Sequence, residues 1–74
     1  MDRINTPTKD EDLFGPGKHG FKDGNLSLGV QPTALNAAFF NDLQEELVGL
    51  IEHAGLTPTA GTRTQLREAI DILI

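Results

Sequence analysis

The one stretch whose glycine spacing suggests phosphate chemistry is Gly15, Pro16, Gly17, Lys18, His19, Gly20, a literal G-x-G-x-x-G. In a dinucleotide site those glycines let the backbone turn against a pyrophosphate between a buried strand and a helix. Here nothing before Gly15 reads as such a strand, nothing after Gly20 reads as a helix, and no Ser or Thr follows Lys18 as a Walker loop requires. Nucleotide binding is therefore not expected. His19 and His53 are the two histidines, they fall in different segments, and the chain has no Cys, so a closed four-ligand zinc site is unsupported. His53 instead falls near the end of a predicted helix, where an imidazole suits the helix dipole. Glu45 and Glu46 point about 100° apart on a helix and have no pocket to separate their acidities, which makes them a poor acid and base pair. The sequence thus offers no catalytic residues, no metal ligands and no cofactor site, and an enzyme is not expected.

The elements that could position any site are bounded by size. The chain has 74 residues, 38% of them hydrophobic and 5% aromatic, with no Trp or Tyr. That is about half of an ordinary domain of roughly 150 residues, without a disulfide to offset a thin core. A partner or further copies of the chain are expected. The net charge of −5, from six basic and eleven acidic residues, argues against a nucleic-acid binder that relies on phosphate contacts. No run of 18 apolar residues exists and Met1 to Asp10 is polar, so neither membrane insertion nor a secretory signal is expected. The absence of Cys fits synthesis in a reducing cytoplasm.

Composition separates residues 1–31, which hold five of the eight Gly, from residues 32–74, which carry −4 of the net charge. In the first stretch Leu13, Phe14 and Phe21 stand apart among glycines with no helical or strand period, so an extended arm is predicted. Leu26, Leu28 and Val30 alternate after Asp23, Gly24 and Asn25, as in a short edge strand; an irregular loop is the other reading.

From Pro32 onward the pattern is helical. Either Thr33 or Asn36 can cap a helix over about 34–54, and Gly55 ends it. Phe40, Leu43, Leu47, Leu50 and Ala54 recur at steps of three and four, with Phe39, Val48 and Ile51 on the flanks, so the apolar arc covers about half of the cylinder. One neighbour cannot cover such an arc. It suits packing on a second helix along one side and on another chain along the other. Gln44 lies inside it and either fixes register at a bundle axis or reaches water at the seam edge. Asp42, Glu45, Glu46 and Glu52 line the outer face, which is either merely solvated or turned toward something basic. Thr62 with Gln65 has the form of a capping box, and Leu66, Ala69, Ile70 and Leu73 supply the packing stripe of a second helix over about 63–74. That helix reaches Ile74 without a stop signal, as though the sequence were the beginning of something longer.

Several of these residues also carry a resemblance. Met1 to Pro7, then Leu35, Asn36, Ala37, Asn41, the run Gln44, Glu45, Glu46, Leu47, then Ile51, Glu52, Ala54, Gly55, Leu56, and finally Thr64, Gln65, Leu66, Ala69, Ile70 resemble the amino-terminal region of bacteriophage and prophage tail-fibre proteins. Relatives often have a Trp where this chain has Phe39 or Phe40, and no distal shaft or receptor tip is present. What the resemblance implies is a virion structural protein that joins a fibre, commonly a homotrimer, to the tail or baseplate. The resulting expectation is an all-α chain with a long irregular arm. Residues 1–31 form the Gly-rich attachment arm, and residues 32–74 form a two-helix hairpin that trimerises as a bundle. The oligomer interface is then Phe39, Phe40, Leu43, Gln44, Leu47, Val48, Leu50, Ile51 and Ala54. The arm docks on tail or baseplate proteins through Leu13, Phe14, Phe21, Leu26, Leu28 and Val30. A small helical interaction or regulatory module outside any particle is the alternative.

Overall fold

A computed structural model describes residues 1–74. All of its regular secondary structure is helical: a single 3₁₀ turn at Leu26–Leu28, helix α1 at Ala37–His53 and helix α2 at Gln65–Leu73. The chain forms two compact units, Met1–Phe40 and Asn41–Ile74.

The first unit is largely the predicted arm, but it is closed on itself rather than extended. Asp10 and Gly20 pair as an antiparallel bridge, with N–H to carbonyl distances of 2.8 and 3.0 Å. Further on, Lys22 and Thr33 come together: the Thr33 N–H donates to the Lys22 carbonyl at 3.1 Å, and the Lys22 N–H donates to Thr33 Oγ1 at 2.8 Å. The chain start is tied down by hydroxyls. Thr6 Oγ1 donates to the Ala34 carbonyl at 2.7 Å, and the Ala34 N–H donates to Thr8 Oγ1 at 2.6 Å. Thr6 and Thr33 are buried, and Ile4, 2% exposed, is the one large side chain enclosed completely. Side-chain hydroxyls here do the work that a strand ladder does elsewhere, each such bond contributing roughly 0.5–1.5 kcal/mol. Two glycines are closely approached by other parts of the chain. A Cβ on Gly24 would lie 2.7 Å from Pro32 Cδ, and one on Gly20 would lie 2.6 Å from Leu13 Cδ2 and 2.8 Å from Phe14 Cε2.

The alternation at Leu26 to Val30 does not produce a strand. Asn25 and Val30 pair with each other, at 2.8 and 2.9 Å, so the four residues between them must reverse the chain. They do so as the 3₁₀ turn, with Gly29 left-handed at φ 69°.

Helix α1 begins three residues later than expected because Asn36, not Thr33, is its cap: Asn36 Oδ1 accepts the Phe39 N–H at 3.0 Å. Thr33 is occupied in the arm. At the other end the Leu56 N–H donates to the Ile51 carbonyl and the Gly55 N–H to the Glu52 carbonyl, at 3.2 and 2.9 Å, with Gly55 at φ 85°. This is a Schellman closure, available to Gly without the penalty a Cβ brings.

Helix α2 starts at Gln65, two residues beyond the expected start, and the capping box does not form. The N-cap is Thr64, whose hydroxyl donates to Glu68 Oε1 at 3.1 Å. Gln65 is spent on the preceding loop, where its Oε1 accepts the Thr59 N–H at 3.0 Å and its Nε2 donates to the Thr57 carbonyl at 2.8 Å. Only Ala69 on this helix is buried.

Candidate docking surfaces

In the first unit the G-x-G-x-x-G stretch is a tight, internally bonded loop inside the Asp10–Gly20 bridge. Asp12, at φ 58°, accepts the Gly17 N–H on its carboxylate at 2.7 Å, and His19 Nδ1 accepts the Asp12 N–H at 3.2 Å. The Gly15 and Lys18 N–H groups are turned onto carbonyls within the loop, at 3.1 and 2.8 Å. Those donors, which a phosphate cradle would present outward, are committed. The loop sets Leu13 and Phe14 directly against the Gly20 backbone and leaves both exposed.

Beside it is an open cleft of about 460 Å³, walled in part by Arg3, Phe14, His19, Phe21 and Phe39. Phe21 and Phe39 meet edge to face with ring centroids 5.4 Å apart, and Phe39 meets Phe40 likewise at 5.6 Å. Such contacts contribute about 0.5–1.5 kcal/mol beyond area burial. The most prominent apolar feature is the 3₁₀ turn: Leu26 is 97% exposed and Leu28 75%, held on a loop closed at Asn25 and Val30. Five of the six expected arm residues are therefore exposed, with Val30 half-buried, and they form two groups: Phe14 and Phe21 at the cleft with Leu13 alongside, and Leu26 with Leu28 at the turn.

In the second unit Leu43, Val48, Leu50, Ile51 and Ala54 are half-buried, while Gln44 and Leu47 are exposed. Gln44 turns its amide aside to Glu45, donating to Oε2 at 3.1 Å. On α2, Ala69 is fully buried whereas Leu66, Ile70 and Leu73 are 37%, 43% and 44% exposed. Three of the four residues expected to pack this helix thus remain open to solvent. In this unit Arg63 and Arg67 form no ion pair, nor do Asp42, Glu45 or Glu52. Phe39 is half-buried and Phe40 exposed in the first turn of α1, within the first unit.

Sequence reasoning missed Ile4, Thr6, Thr8 and Thr33, which give the arm its shape, and with them the cleft. The three threonines find partners 11 to 28 residues away, a separation without a local signature. No helix is long and apolar enough to cross a membrane.

Over all 74 residues the chain is 40% identical to an uncharacterized protein, StfP, of Escherichia coli strain K12. The chain spans 35% of that relative's length. No family profile matches it, and no solved structure does.

Proposed function

We propose that this chain is the attachment region of a phage or prophage tail fibre, a virion structural protein whose work is binding rather than turnover. The observation that carries the reading is the distribution of apolar side chains. Ile4 and Ala69 are the buried apolar residues, while Leu26 and Leu28 in one unit and Leu47, Leu66, Ile70 and Leu73 in the other face water. A chain with that surface gains more from association than from its own core. The tail-fibre resemblance of residues 1–7, 35–56 and 64–70 supplies the kind of partner, and the full-length similarity to StfP, a longer chain, is in keeping with a region of a larger protein.

The helices associate as a homotrimer along the α1 arc of Phe40, Leu43, Leu47 and Leu50. The first unit docks on tail or baseplate proteins, with the Leu26–Leu28 turn as its leading contact and Leu13, Phe14 and Phe21 as secondary ones. Three copies of the turn on one trimer act together, so modest affinity at each becomes firm attachment.

Imaging tests this directly. Particles produced with an epitope-tagged chain should carry antibody label at the tail or baseplate, and tagged Leu26→Ser, Leu28→Ser protein should be soluble in the lysate but missing from particles. Particles free of label despite abundant wild-type protein would contradict the reading and favour a helical interaction module outside the virion.

A further inference from the structure

We propose that the loop from Asp10 to Gly20 is a pH-sensitive clasp: on protonation, His19 gives up its hydrogen bond with the Asp12 backbone and takes one with the Asp12 carboxylate. The clasp is a property of the loop and does not depend on what the first unit attaches to.

The imidazole stands between two groups of one residue. The His19 side chain is 19% exposed, its Nδ1 accepts the Asp12 N–H at 3.2 Å, and the same nitrogen lies 3.8 Å from Asp12 Oδ1. An accepting Nδ1 carries no proton, so the neutral ring holds its proton on Nε2. Uptake of a second proton makes both nitrogens donors. Nδ1–H then meets the Asp12 N–H donor to donor and that bond is lost, while the carboxylate, about 1 Å short of a charge-assisted hydrogen bond, becomes the acceptor in reach.

Asp12 is the carboxylate that the new charge meets. Asp2, Arg3 and the Met1 amine line the cleft together with His19, and Glu11 and Lys18 are chain neighbours of the pair. Neither Asp2 and Glu11 nor Arg3 and Lys18 form an ion pair with the ring.

The exchange falls on the residue most sensitive to it. Asp12 is the one non-Gly residue at positive φ, 58°, a conformation that L residues adopt at a cost. Three bonds hold it there: its N–H to His19, its carbonyl accepting the Gly15 N–H at 3.1 Å, and its carboxylate accepting the Gly17 N–H at 2.7 Å. Protonation removes the first and makes the third compete with an imidazolium. Leu13 and Phe14 follow Asp12 directly and lie against Gly20, and Phe14 walls the cleft with His19. A fall in pH therefore changes both the charge and the shape of one cleft wall.

Nuclear magnetic resonance of the full chain between about pH 5 and 8, the range in which imidazole changes charge, reads the exchange. His53→Gln leaves His19 as the one histidine. At the upper end the His19 ring should be the Nε2–H tautomer, and on acidification the Asp12 and Gly17 amide resonances should move with the same midpoint as the ring. A neutral ring protonated on Nδ1, or Asp12 and Gly17 amides that stay fixed while His19 titrates, would overturn the proposal. His19→Asn, added to His53→Gln, retains a side-chain acceptor but takes up no proton, so both amide movements should disappear. Movements that persist in that variant would belong to another group, the Met1 amine first, and would equally overturn the clasp.

Discussion

The two units solve the same shortage of apolar residues in opposite ways. In Met1–Phe40 the backbone is held by hydroxyls and tight glycines around one buried Ile, and its exposed leucines sit on a turn whose closure does not depend on them. In Asn41–Ile74 the backbone satisfies itself within helices, and the apolar stripes those helices present are left half-covered. A unit built on specific hydrogen bonds can hold its shape and display a contact; a unit built on amphipathic helices is finished only by a neighbour. The proposed division, docking by the first unit and association by the second, rests on that difference.

Substitutions can break that division. The largest effect is expected from Leu47→Asp, which places an unpaired carboxylate in the association seam at a cost on the order of 3–5 kcal/mol; analytical ultracentrifugation should show dissociated chains, and an unchanged oligomer would remove Leu47 from the seam. Gly24→Ala drives a Cβ into the Pro32 ring and should lower the melting temperature with a cost of about 1–3 kcal/mol. Thr6→Val removes the hydrogen bond from the buried Thr6 hydroxyl to the Ala34 carbonyl, costing about 1–1.5 kcal/mol; amide exchange should loosen across residues 1–40 while the oligomer persists. Asn36→Ala removes the α1 cap, worth about 1 kcal/mol in thermal unfolding. The smallest effect on folding belongs to Leu26→Ser with Leu28→Ser, about 0.5 kcal/mol or less, although the same pair should abolish particle attachment. A large loss of stability from that pair would mean the turn is structural and the two units are less different than described.

What could be read from the sequence follows the range of the forces involved. Helix α1 was legible in its apolar period, in Asn36 and in Gly55, because caps and periodicity act within a turn or two. Its arc also announced more apolar surface than one chain covers. The arm was legible as glycine-rich and irregular, but not as closed, since Thr6 and Thr8 meet Ala34 across 28 and 26 residues of chain. At Leu26 to Val30 the period of two left a strand and an irregular loop both open, and the loop reading holds: pairing between Asn25 and Val30 turns the segment back on itself before any strand can form. The Gln65 signal failed for a related reason, as its amide closes the Thr57 to Thr59 loop instead of a capping box. Which leucines would stay exposed on α2 could not be read at all, because it depends on how little of the helix its own unit covers.

The central claim is that this chain does not stand alone. Sedimentation equilibrium of the untagged 74-residue protein at micromolar concentration measures that without reference to any partner. The account predicts a mass of three chains, each 8.0 kDa; a single species at the mass of one chain across the whole concentration range would contradict it.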